Sequence, residues 1–174
     1  MIIRSLQREE IPLVWQIDRR EIIQNIYHLR DGELVLVPDY FDVQGWPPGE
    51  AEHYTPMLTD CFDRGGMFWG AFEDEKIVGT AVLESKFIGT KHDTLQFKFL
   101  HVSRDQRKQG LAKKLFLLAV EKAELLGAKK LYISATPSEN TINFYIHLGC
   151  TLTTELHPEL FALEPEDIHL EYLI

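Results

Sequence analysis

The sequence predicts an α/β domain, and three observations predict it. A strand-like run at residues 95–102 passes through a short loop into a long amphipathic helix. A second apolar strand, residues 131–135, is followed at once by helix-start signals. Two further apolar runs, residues 67–72 and 77–84, flank the acidic turn Glu73-Asp74-Glu75-Lys76, which by loop length is an antiparallel hairpin.

Along the chain, residues 2–6 read as a first strand. Residues 9 to about 24 read as a helix that tolerates Pro12 in its first turn and points Ile11, Val14, Trp15 and Ile22 inward. Residues 25–50 are the irregular part, with a strand-like Leu34-Val35-Leu36-Val37, then Pro38, a Tyr40-Phe41 pair, and Gly45-Trp46-Pro47-Pro48-Gly49, which must turn. Residues 50–64 form a second helix, stopped by Gly65-Gly66. In the long helix, Ala112, Phe116, Ala119, Ala123 and Leu126 recur on one face, and Gly127 stands where a left-handed cap is expected. Thr136 as N-cap, Pro137 at the first helical position and Glu139 complete a capping box for a helix ending near His147, with Gly149 beyond. Residues 150–154 and 168–173 supply two more strands.

Composition narrows the function. A chain of 174 residues with 45% hydrophobic content, without repeats or low-complexity tracts, suits one domain over residues 1–174. The first residues lack an apolar segment of signal-peptide length and no run approaches a membrane span, so a cytoplasmic protein is expected. Cys61 and Cys150 lie far apart without metal-ligand spacing and read as reduced thiols used as small apolar residues. A net charge of −9 repels phosphodiester backbones and suits a cationic or neutral small partner.

Chemistry enters with the loop Ser-Arg-Asp-Gln-Arg-Lys-Gln-Gly-Leu-Ala, which ends in Arg107-x-x-Gly110-x-Ala112. A strand running into a loop that directly opens a helix gathers free backbone N–H groups around one point, an anion site made of main chain. Small residues at Gly110 and Ala112 leave those groups open to phosphates. A glycine three residues after an arginine is common in turns, and what sets this one apart is helix periodicity starting at the motif itself. Strand, R-x-x-G-x-A and helix in this order resemble the acetyl-coenzyme A site of the GNAT N-acetyltransferases. The segment Ser138 to Cys150 is a second carrier: Asn140 early in the helix, Tyr145 later, and the ending Leu148-Gly149-Cys150, where Cys150 departs from the family's usual aromatic.

The resemblance implies a GNAT acyl-CoA N-acyltransferase fold, a mixed, mainly antiparallel sheet of six or seven strands flanked by helices. It implies acetyl-CoA as co-substrate, no metal, and direct acetyl transfer to the primary amine of a small molecule. The main-chain N–H groups of Arg107, Lys108, Gln109, Gly110, Leu111 and Ala112 would hold the diphosphate. Backbone near Val102 and the side chain of Asn140 would hold the pantetheine arm, in a slot opened where the strand splays from residues 131–135. Tyr145 would protonate the leaving thiolate. By periodicity alone Tyr145 reads as a packed residue of the stripe Ile142, Tyr145, Ile146, and Asn140 as a residue serving its helix N-terminus.

The positions where family members place a base align with Gln96 and Lys98, neither of them a good base. Glu84, His101, a carboxylate of the insertion and a water relay are the remaining candidates. In the family the connection between the first two helices covers the acceptor, and here residues 25–50 carry Tyr27, Asp31, Glu33, Asp39, Tyr40, Phe41, Asp42, Trp46 and Glu50, with Glu52 just beyond. Aromatic faces with carboxylates suit a cationic amine; the same residues also suit a loop that merely caps the core. Lys98, if it points into the slot, would suggest an acceptor bearing a carboxylate. The expected partners are a small-molecule amine, no nucleic acid and no membrane, with a homodimer as one assembly the chain could form. The alternative from another class is a catalytically silent acetyl-CoA-binding regulatory or interaction module.

Overall fold

The computed structural model describes residues 1–174. In chain order the elements are β1 (Ile2–Ser5), a 3-10 segment (Arg8–Gln16), β2 (Glu21–Arg30), β3 (Glu33–Val43), α1 (Glu50–Asp63), β4 (Met67–Glu73), β5 (Lys76–Ile88) and β6 (Thr94–Val102). A short 3-10 turn (Arg104–Gln106), α2 (Leu111–Leu125), β7 (Lys130–Ala135), α3 (Glu139–His147), β8 (Thr151–Leu152), α4 (Pro158–Leu163) and β9 (Ile168–Leu173) complete the chain. Seven strands form one sheet in the order β1-β4-β5-β6-β7-β9-β8, and β6 with β7 is its one parallel pair. No helix is long and apolar enough to cross a membrane.

Two expectations are corrected in the first third of the chain. Residues 9–24 are not one α-helix: residues 8–16 wind as a 3-10 segment, and Glu21 onward extends as β2. The buried residues Ile11, Val14 and Ile17 recur every three residues, which is the 3-10 period. Bidentate pairing of Arg20 with Asp18 then turns the chain into the β-branched run Ile22, Ile23, Ile26. The supposedly irregular residues 25–50 contain most of a long hairpin, β2 with β3, which forms its own two-stranded sheet. Its turn is Asp31-Gly32, both at positive φ (51° and 80°), as a two-residue hairpin turn requires.

Later elements differ less. The N-cap of α3 is Ser138 rather than Thr136: Ser138 Oγ accepts from Thr141 N–H at 3.4 Å, and Ser138 itself has extended backbone (φ −61°, ψ 143°), so Pro137 lies before the helix. That extended backbone holds the hairpin, with Tyr27 N–H donating to the Pro137 carbonyl at 2.8 Å and Ile26 bridging to Ser138. β8 spans only two of the five expected residues, and α4 has no counterpart in the sequence reading.

The sheet carries one apolar core on each face. Leu115, Phe116 and Ala119 of α2 and Ile142 and Tyr145 of α3 pack with Leu95, Phe97, Leu131 and Ile133 on one face. The 3-10 segment and α1 bury Ile11, Val14, Leu58 and Cys61 against Phe68 and Val82 on the other. A bulge lets β6 serve both: Val82 faces Phe99 while the next residue, Leu83, faces Phe97, so Lys98 is the extra residue. Leu100 and Val102 consequently return to the α2 face, and Phe99 goes with Trp15 and Trp46 on the other.

Candidate active site

The loop after β6 is built to leave main-chain donors free. Arg107 N–H closes the short 3-10 turn on the Arg104 carbonyl, Lys108 and Gly110 take left-handed φ of 61° and 82°, and the first helical bond of α2 is Lys114 N–H to the Gly110 carbonyl. The N–H groups of residues 108–113 therefore donate to no acceptor of the chain. A Cβ at Gly110 would meet no protein atom within 4 Å, so its backbone angle is what asks for glycine, and a side chain there would project in front of the free donors. Leu111 is buried and Ala112 half-buried against the α2 core. Gln109 turns back to the Asp105 carbonyl at 2.9 Å, and Arg107 Nε donates to the carbonyl of the buried Val102 at 3.0 Å.

Next to this loop, β6 and β7 pair only from Thr94↔Lys130 to Gln96↔Tyr132 and then part. The opening is the expected slot. Tyr145 approaches it from the α2 and α3 face at 6% exposure, packed edge-on against Phe116 (6.1 Å) and Phe144 (5.1 Å). Burial raises its phenol well above the usual value, with Cys150 adding to the effect. Its hydroxyl has no partner in the chain, yet it is not sealed off as a buried unsatisfied atom. Asn140 lies exposed at the start of α3 and donates to Glu21 Oε1 at 3.3 Å.

The other face of the slot is aromatic and acidic. Trp46 is anchored by its Nε1–H on the Ile17 carbonyl (2.9 Å) and meets Trp15 at 4.8 Å, His101 at 4.7 Å and Phe99 in a parallel stack at 6.0 Å. Arg19 holds its guanidinium 5.1 Å over the Trp46 ring and reaches Glu50 at 3.7 Å. Tyr54 of α1 donates to Glu164 Oε1 at 2.7 Å. Asp167 directly precedes Ile168, the partner of Ala135 at the parted end of β7. Burial and the neighbouring Glu164 push its carboxyl up to about 6, against the pull of Arg19. Along β9 and β7, His169, Tyr132 and Ser134 share this face: His169 Nδ1 lies 2.7 Å from the Tyr132 hydroxyl and 3.4 Å from Ser134 Oγ.

The base candidates separate on this geometry. Burial acts to raise Glu84, but the Ser85 N–H and the Arg64 guanidinium at 2.8 Å outweigh it and hold the carboxyl below its usual value, so Glu84 is a paired structural acid. Burial, with Arg19 and Arg107 nearby, pushes His101 down to about 3, which keeps it neutral and a weak proton acceptor. Gln96 and Lys98 are half-buried. Both thiols are driven up to about 12 by burial, and neither is an activated nucleophile.

Of the insertion residues, Trp46 and Glu50 reach this face. Tyr40 and Phe41 project from the hairpin at 65% and 46% exposure, Asp42 pairs with Ile22 within it, and Tyr27 turns its hydroxyl to Asn143 at 2.8 Å. Glu164, Asp167, Ser134 and His169 were missed by the sequence reading. The available signal was polar residues alternating with apolar ones in Ile168-His169-Leu170-Glu171, within a strand that the sequence predicts.

A parallel strand pair that parts beside a helix N-terminus with free N–H groups makes a cleft next to an anion site, as an acyl-CoA-dependent transferase requires. Residues 11–150 match the acetyltransferase (GNAT) family, and the chain belongs to that family. It is an acetyl-CoA-dependent N-acetyltransferase. Among solved structures it is similar to nourseothricin acetyltransferase, at 16% identity over 99% of this chain and 97% of that one, with a TM-score of 0.72. PaiA N-acetyltransferase from Thermoplasma acidophilum, in complex with coenzyme A, gives 15% identity, 99% and 98% coverage and a TM-score of 0.65. The ribosomal-protein-S18-alanine N-acetyltransferase from Escherichia coli gives 16%, 99% and 93%, and 0.62. No curated protein matches the sequence.

Proposed function

We propose that the chain works as one domain that transfers acetyl from acetyl-CoA directly to the primary amine of a small cationic molecule. The free N–H groups from Lys108 onward suit a diphosphate, and the Val102 backbone and Asn140 line the way for the pantetheine arm. Tyr145, buried and without a partner in the chain, gives its proton to the departing thiolate. Once bound, acetyl-CoA supplies the acyl group as a thioester.

One observation carries the choice of acceptor: the slot face opposite Tyr145 combines Trp46, Phe99 and His101 with the carboxylates of Glu50, Glu164 and Asp167. Arg19 already lies over Trp46, so this ring takes a cation.

Thiol release in the presence of polyamines, aryl-alkyl amines, aminoglycosides and amino acids, at two ionic strengths, tests the reading. Turnover with cationic amines, weakened by salt, is expected. Preference for amino acid or anionic acceptors would redirect attention to Lys98. Stabilisation by acetyl-CoA without thiol release for any amine would favour the silent binding module.

A further inference from the structure

We propose that His169, acting through the Ser134 hydroxyl, takes the proton that the acceptor amine loses. The proposal rests on direct transfer to an amine and supplies the base that Gln96, Lys98 and Glu84 do not.

The imidazole is 5% exposed and its Nε2 lies 2.9 Å from the Glu164 carbonyl oxygen. A carbonyl only accepts, so Nε2 carries a hydrogen; Tyr132 accepts the His157 N–H and is left to donate toward Nδ1, which therefore presents a lone pair, an assignment made from the network. That lone pair faces two hydroxyls. Tyr132 is 3% exposed and receives the His157 N–H at 3.3 Å. Ser134 is half-buried and stands two residues past Tyr132, the last residue of β7 paired with β6. It is therefore the hydroxyl at the opening, with a neutral imidazole behind it.

Tyr145 lies on the other face of β7, in the core with Leu131 and Ile133. Proton delivery to sulfur and proton uptake from nitrogen thus occur on opposite sides of the reacting carbon. The amine lone pair forms the C–N bond while the C–S bond breaks with its electron pair going to sulfur. The nitrogen proton passes to Ser134 Oγ as Ser134's own proton passes to His169 Nδ1, and Tyr145 protonates the thiolate. Solvent then takes the proton from His169 and restores that of Tyr145. The groups facing His169 are Tyr132 and Ser134 of β7, Phe161 of α4, the Glu164 and Asp167 segment with Tyr54 on Glu164, and, along β9, Glu171 paired with Lys130.

The test is kcat against pH with the best amine for the wild type, Ser134→Ala, His169→Gln and Tyr132→Phe. Ser134→Ala and His169→Gln should each lower kcat by about 10²-fold, the low end for a general base, with acetyl-CoA affinity unchanged. Both should lose the acid limb of the wild-type profile, a readout that a packing role would not move. Tyr132→Phe leaves Nδ1 to Ser134 alone, so the acid limb should persist in this variant. Ser134→Ala removes one half-buried hydroxyl and leaves the fold in place even if His169→Gln does not. Wild-type kcat and pH profile in Ser134→Ala would overturn the relay while the amine reading stands. A wild type that acetylates no amine would sink both.

Discussion

Glu21 Oε2 lies 3.7 Å from Arg107 Nη1, while Oε1 of the same carboxylate accepts from Asn140 at 3.3 Å. One side chain from β2 thus joins the loop before α2 to the start of α3, across the route proposed for the pantetheine arm. A carboxylate here repels the phosphates that the free N–H groups attract. Glu21→Gln should therefore tighten acetyl-CoA binding, by about 3- to 10-fold at low ionic strength and less in high salt, where exposed charges are screened. Titration calorimetry at two salt concentrations measures this, and weaker binding in the variant would show that Glu21 organises the site instead.

Gly110 separates two effects. Its φ of 82° makes any side chain strained, at a cost of about 1 kcal/mol. Gly110→Ala should lower Tm slightly and weaken acetyl-CoA binding modestly. Gly110→Glu adds bulk and negative charge in front of the free donors and should abolish binding while the fold persists. Unchanged affinity in the glutamate variant would remove the phosphate role from this loop.

Tyr145→Phe takes away a hydroxyl that bonds to nothing in the chain and leaves the ring against Phe116. Stability should stay within about 0.5 kcal/mol, as no intramolecular hydrogen bond is lost. Turnover should fall by about 10²- to 10⁴-fold with acetyl-CoA affinity preserved. Wild-type kcat in steady-state thiol release would assign thiolate protonation to water.

What the sequence made legible was local. The loop from β6 into α2 and the helix carrying Asn140 and Tyr145 are contiguous segments whose signals lie within a few residues of one another. The β2–β3 hairpin had its signal too, since Asp31-Gly32 between β-branched runs is a strong turn mark; Pro38 and the clustered aromatics obscured it. The acceptor face is different in kind. Asp167 and His169 reach the slot only because β9 returns antiparallel beside β7, a register that no local periodicity encodes. Trp46 joins Phe99 and His101 only because the bulge at Lys98 reverses the facing of β6.

Asp167 gives the acceptor reading a pH signature. Its carboxyl is raised to about 6 by burial and Glu164, so it is ionised at pH 7.5 and largely protonated at pH 5. If the ionised form binds the acceptor's ammonium, KM for the amine should rise as pH falls through about 6. In Asp167→Asn, KM should be high throughout and lack that step, and Trp46→Ala should raise KM for the amine without touching KM for acetyl-CoA. Linkage adds an independent check. The folded state holds this proton more tightly than the unfolded chain, so ionisation costs stability as pH rises through the window from about 4 to 6. Removing the charge should therefore raise Tm at pH 7.5 in Asp167→Asn, and by less at pH 4. An acceptor KM that is flat with pH in the wild type and unchanged in Asp167→Asn would detach this carboxylate from recognition, even if the Tm shift is found.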